Sequence, residues 1–79
     1  MTHKDAKIDA YLEKTVKITF KNGKTEIGFL VDNKLSVSKY RTGVYSMPYI
    51  LMVGYTPDRY FYDYNVTFYK SHVKKIEEV

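Results

Sequence analysis

The chain contains no cysteine. That excludes a disulfide framework and any thiolate metal site, so stability must come from packing or from association with other copies. A cysteine-free composition also suits a cytoplasmic protein. Arginine is nearly absent: Arg41 and Arg59 are the only two, which argues against bidentate recognition of phosphate or guanine. No apolar run is long enough to span a membrane. The opening segment, MTHKDAKIDAYLEK, is of mixed charge where a secretory leader would need an apolar stretch. A soluble, unprocessed chain with no membrane partner is therefore expected. With 79 residues and no internal duplication, residues 1–79 are read as one domain with a modest core. The formal net charge of +4 leans toward anionic partners, although Asp and Glu are scattered among the lysines.

What is present begins with Val16 to Val31, VKITFKNGKTEIGFLV, where apolar and polar residues alternate around Asn22-Gly23. Asn-Gly is the pair favoured by a two-residue type I′ turn, because both central positions need positive φ. With Lys21 and Lys24 flanking that turn, Phe20 pairs with Thr25, Ile18 with Ile27 and Val16 with Phe29, so the apolar members share one face. A lone hairpin is marginal in water, and the rest of the chain must cover that face. Gly28 marks a bend in the second strand or a close approach of another backbone.

Before the hairpin, Thr2 can cap a short amphipathic helix over residues 3–14, with Ile8, Tyr11 and Leu12 on its apolar stripe. After it, Asp32-Asn33 reads as a turn and Leu35, Val37 and Lys39 alternate as a third strand, which places strands one to three within 16–40. Residues 41–64 form a tyrosine-rich excursion, either an extended hairpin of strands three and four or a loop with a strand inside it; Tyr49 to Val53 within it is a short apolar run. Thr56-Pro57-Asp58-Arg59 fits a type I turn. Residues 65–77 supply the last two strands, NVTFYK with Val66 and Phe68 inward and then Val73 to Glu77, around a corner at Ser71-His72. A rival for the end of the chain is a helix capped by Ser71, because Val73 and Ile76 are three apart. The fold class is therefore mainly β: a small, bent antiparallel barrel of about five strands with a short N-terminal helix.

Two segments, Val16-x-Ile18-x-Phe20-x-Asn22-Gly23-x-x-x-x-Gly28-x-Leu30 and Phe68-Tyr69-Lys70-Ser71-His72-Val73-Lys74-Lys75-Ile76, resemble the first and second motifs of the Sm-like family, in particular its bacterial RNA-chaperone branch. The resemblance implies an Sm-like, SH3-like barrel, RNA binding through Lys70, and a cyclic homo-oligomer in which the fourth strand of one subunit pairs with the fifth of the next.

The residues themselves offer further candidates. Eight of the nine tyrosines fall between Tyr40 and Tyr69, interleaved with Arg41, Arg59 and Lys70. They suit a stacking platform for single-stranded nucleic acid, with Tyr60 as a loop example. They equally suit half-buried barrel walls and subunit contacts. His72 beside Lys70, Lys74 and Lys75 makes a small basic site at the last corner, or is a solvated or capping histidine. No metal site is expected, since His3 lies in a separate segment. No catalytic constellation is visible: Asp58 and Asp63 stand alone, and neither a cofactor nor an enzyme is expected. Two functional classes follow. One is an Sm-like module binding single-stranded RNA as a homo-oligomer through Lys70, His72, Lys74, Arg41, Arg59 and Tyr60. The other is a self-assembling or protein-binding barrel whose tyrosine-rich segment meets a protein partner, with no nucleic-acid role.

Overall fold

The computed structural model describes residues 8–56, 58 and 62–79. Five antiparallel strands, β1 (Thr15–Phe20), β2 (Thr25–Asp32), β3 (Tyr49–Val53), β4 (Tyr64–Phe68) and β5 (Val73–Glu78), make one open sheet in the order β4-β3-β2-β1-β5. A short helix, α1 (Asn33–Leu35), runs directly into a π-helical segment, Ser36–Tyr40, between β2 and β3, and a 3-10 turn, Lys70–His72, joins β4 to β5. The Cα radius of gyration is 11.7 Å, that of a compact globule. No helix of the described residues is long and apolar enough to cross a membrane.

The hairpin forms where expected but in a different register. Phe20 N–H donates to the Lys24 carbonyl (2.8 Å) and Gly23 N–H to the Phe20 carbonyl (2.9 Å), so the connection is the three-residue Lys21-Asn22-Gly23. Gly23 alone of the turn takes positive φ, at +93°, the arrangement of a type I turn followed by a left-handed glycine. Asn22 Oδ1 accepts from Lys24 N–H at 2.9 Å and holds the turn. Val16 therefore faces Gly28 and Ile18 faces Glu26, where the two-residue turn would have paired them with Phe29 and Ile27. A slip of one residue exchanges the faces of a strand.

That exchange is affordable because the sheet is covered on both sides. On the concave side Val16, Ile18, Phe20, Leu30, Tyr49, Leu51 and Phe68 pack with Ile8. The rings of Phe20 and Phe68 meet edge to face at 5.2 Å. These two residues lie on β1 and β4, which are separated in the sheet by β2 and β3, so the contact requires a strong curl. On the other side Phe29, Val31, Ile50 and Met52 form a second cluster beneath Leu35, Tyr40, Tyr45, Tyr55 and Tyr62. Central strands buried on both faces read as continuous apolar runs, and GFLV in β2 and YILM in β3 are such runs.

The third strand expected after Asp32 is absent, and helix takes its place. The Asp32 carboxylate accepts from Leu35 N–H at 2.9 Å, an N-cap, and Val37, assigned to a strand by alternation, is half exposed. The excursion instead carries its strand at Tyr49–Val53, paired to both β2 and β4. At the end of the chain the helical rival fails, because β5 is a strand. Its pairing shifts from Thr19↔Lys75 to Phe20↔Val73, leaving Lys74 as a bulge residue. Of the helix expected over 3–14, residues 3–7 lie outside the described residues, as do Pro57 and Arg59 of the expected type I turn. Ile8 and Asp9 are helical, after which N–H bonds from Tyr11 to Ile8 (3.1 Å) and Leu12 to Asp9 (3.2 Å) make tight turns. Tyr11 and Leu12 do pack against the concave cluster.

Candidate nucleic-acid interface

The corner between β4 and β5 is built by short-range bonds. His72 N–H donates to the Tyr69 carbonyl at 2.9 Å. The Tyr69 N–H reaches His72 Nδ1 at 3.4 Å, and the two rings stand edge to face at 5.6 Å. His72 thus performs the capping role. Lys21 N–H donates to the His72 carbonyl at 2.9 Å, which ties the β1–β2 turn to this corner. The Lys70 amine stands 5.9 Å from the centre of the Tyr49 ring, near enough for a cation–π attraction. That ring is itself stacked on Phe68 at 5.8 Å, and its hydroxyl donates to Asp9 Oδ1 at 2.7 Å.

Two cavities flank the tie between Lys21 and His72. The first, of about 470 Å³, is lined by Lys21, Lys70, Lys74 and Lys75 together with Ile8, Val73 and Ile76. Among the described residues no acidic side chain lines it. Among the described residues the ion pairs are Lys14 with Glu78 at 3.7 Å and Lys39 with Glu13 at 2.9 Å. The second, of about 560 Å³, runs from the turn residues Lys21, Asn22 and Lys24 to Val66, Thr67 and Phe68 of β4, with Ser71 and His72 closing one end. Both volumes are in the range that holds small ligands or parts of larger ones.

Of the expected site residues, Lys70 and Lys74 are brought together, and His72 lies beside them on the adjoining cavity. Arg41 is placed elsewhere: it ends the π-helical segment in the left-handed conformation, φ +54°, next to Tyr40, which covers the other face of the sheet. Arg59 and Tyr60 lie outside the described residues. Lys21 was not a candidate from sequence; its role depends on the contact between the first turn and the last corner, which no local pattern encodes. The lysine pair at 74 and 75 was visible as a run, and the β5 bulge leaves both side chains exposed.

The tyrosines divide between the faces. Tyr40, Tyr45, Tyr55 and Tyr62 roof the second cluster, where Phe29 meets Tyr55 at 5.0 Å and Tyr40 at 5.5 Å. They are walls here, not an open stacking surface. The Tyr40 hydroxyl and the Lys39 amine both donate to Glu13 Oε1, at 2.8 and 2.9 Å. The bond from Lys39, reinforced by that from Tyr40, holds the Glu13 carboxyl below the usual carboxylate range. Burial, followed by the bond to Glu13, pushes the Tyr40 phenol up to about 12. Tyr64 donates to Glu26 Oε1 at 2.8 Å, and this bond raises its phenol above the usual value. Among the described residues no group of three or more His, Cys, Asp or Glu side chains could hold a metal ion. Comparison with protein families, with curated proteins and with solved structures finds no match to this chain.

Proposed function

We propose that the chain is an Sm-like nucleic-acid-binding module, a small bent barrel that takes single-stranded RNA and works as a cytoplasmic homo-oligomer. The observation that carries this reading is the corner where Lys70 and His72 join the two edge strands, with Lys21, Lys74 and Lys75 gathered beside them. The gathering of Lys21, Lys70, Lys74 and Lys75 around one cavity is a basic cluster that supports an anionic partner. The strand order supports the assembly: β4 and β5 are the open edges, so the fourth strand of one copy can pair with the fifth of another, which satisfies backbone groups that are otherwise a liability. This reading assigns the chain no catalytic role.

The test is fluorescence anisotropy with a labelled single-stranded RNA of twelve nucleotides, beside the same sequence as a duplex. Binding of the single strand, weakened by Lys70→Ala, is the expected result. A second reading, a self-assembling or protein-binding domain with no nucleic-acid role, is favoured by one feature: the open β4 edge, YNVTF, carries no charge and adjoins the larger cavity. A folded protein that binds no RNA at low salt and purifies with an absorbance ratio free of nucleic acid would leave that second reading in place.

A further inference from the structure

The tyrosine roof on the other side of the sheet has a cavity of its own, of about 280 Å³, lined by Lys39, Tyr40, Thr42, Met52, Tyr55 and Tyr62. It lies over the second cluster, whereas the Ile8, Val73 and Ile76 of the lysine corner belong with the concave one. The rings of Tyr40 and Tyr55 stand nearly perpendicular, at 86° with centres 6.0 Å apart, and make adjoining walls. Phe29 packs against both, at 5.5 and 5.0 Å, and fixes their angle. Tyr62 is held by the Asn65 amide, which donates to its hydroxyl at 3.2 Å, and the buried Met52 adds a polarizable thioether. The chain itself sets a cation here. The exposed Lys39 amine stands 5.7 Å from the centre of the Tyr40 ring and donates to Glu13 Oε1, the same oxygen that accepts from the Tyr40 hydroxyl. Aromatic faces and a carboxylate around one ammonium group are the elements of a cation site. The backbone beside them is strained, with Glu13 at φ +62° and Arg41, next to Tyr40, at +54°. Strain of this kind, like the π-helical segment that carries Lys39 and Tyr40, collects at ligand sites.

We infer that this cavity binds the methylated ammonium head of a small organic cation, which displaces the Lys39 amine from the tyrosine rings while the Glu13 carboxylate supplies the counter-charge. The inference goes beyond the nucleic-acid reading and does not depend on it. A methylated head is the form of cation that these walls favour: its positive charge is spread over apolar methyl groups, so it enters an aromatic and thioether lining with little loss of hydration, where a bare ammonium or a metal ion would lose much. Lys39 is then a competitor built into the chain. Its pair with Glu13 is exposed, and exposed pairs are weak enough for a ligand to break. Lys39→Gln should therefore tighten binding by about two- to fivefold, whereas Glu13→Gln, which removes the counter-charge, should weaken it. Both residues are exposed, so circular dichroism of either variant should match the parent. Tyr55→Leu, which replaces one wall, should weaken binding by about fivefold or more.

The experiment is a proton NMR titration of the full chain, freed of nucleic acid, with choline and with tetramethylammonium, beside the uncharged isostere of choline in which carbon replaces nitrogen. Saturable binding of both cations, an upfield shift of their N-methyl protons from the tyrosine ring currents, and binding of the isostere weaker by about fivefold or more are the expected result. An isostere that binds as tightly as choline overturns the inference, because the cavity is then merely apolar. Weaker binding by Lys39→Gln than by the parent overturns it as well, since the lysine would then be attracting the ligand. No saturable binding up to about 20 mM by the folded Lys39→Gln variant, the form with the competitor removed, overturns it outright. None of these outcomes touches the reading of the lysine corner, which the RNA titration tests by itself.

Discussion

Gly28 has little freedom to change. A Cβ built there would lie 2.6 Å from the Met52 carbonyl oxygen and 2.9 Å from its carbon, both backbone atoms. Gly28→Ala should therefore push β2 and β3 apart and cost about 1–3 kcal/mol, read as a lower urea midpoint; an unchanged midpoint would mean that the strands can part at no cost. Glu13 is the second residue with a traceable consequence. Its carboxylate accepts from both Lys39 and Tyr40 and links the N-terminal turn to the π-helical segment. Its carboxyl is held low, so this stability is present above the unfolded glutamate value and is lost as pH falls through the folded one. The Tyr40 phenol, raised to about 12, adds a loss of stability as pH climbs from about 10 to about 12. Glu13→Gln should flatten the acid limb of a stability–pH curve and Tyr40→Phe the alkaline limb. Because the Lys39–Glu13 pair is exposed, the acid limb amounts to less than about 1 kcal/mol. Parallel curves for parent and variants would show that these bonds do not persist in solution.

Among the elements, the strands were largely legible in the sequence, because β1, β2, β4 and β5 carry local alternation or turn chemistry. Their pairing was not. The Asn-Gly pair announced a hairpin but not whether its connection held two residues or three, and that difference decided which side of β2 met Ile18. In β5 the three-residue spacing of Val73 and Ile76, which resembles a helix, comes from a bulge that lets both face inward. Between Asp32 and Tyr40 the alternation of Leu35 and Val37 suggested a strand, but the cap at Asp32 was the stronger signal. Its side chain holds Leu35 N–H, while Asn33 donates to the Tyr45 carbonyl at 2.5 Å and accepts from Tyr45 N–H at 3.1 Å. Asp32→Ala should cost about 1 kcal/mol by removing the cap and should loosen the tyrosine roof. Chemical denaturation with tyrosine fluorescence measures both effects, and a variant as stable as the parent would leave the cap without a role.

For the whole molecule, the sequence suggested one buried face and the structure has two. Most of the proposed site was legible, Lys70, His72, Lys74 and Lys75, because all stand in one short segment; Lys21 joins them only through the fold. Light scattering at high micromolar concentration should find an oligomer, and Thr67→Lys, which charges the β4 edge, should reduce it to a monomer. A monomeric parent would remove the ring. The double cover of β2 and β3 also sets a clock. Amide protons of these strands sit beneath clusters on both sides, so in heavy water they should be replaced only when the whole chain opens, whereas the outward amides of β4 should exchange through local fraying. A second copy pairing with that edge would slow the β4 amides as protein concentration rises and leave the β2 and β3 amides unchanged, so isotope uptake would report assembly strand by strand.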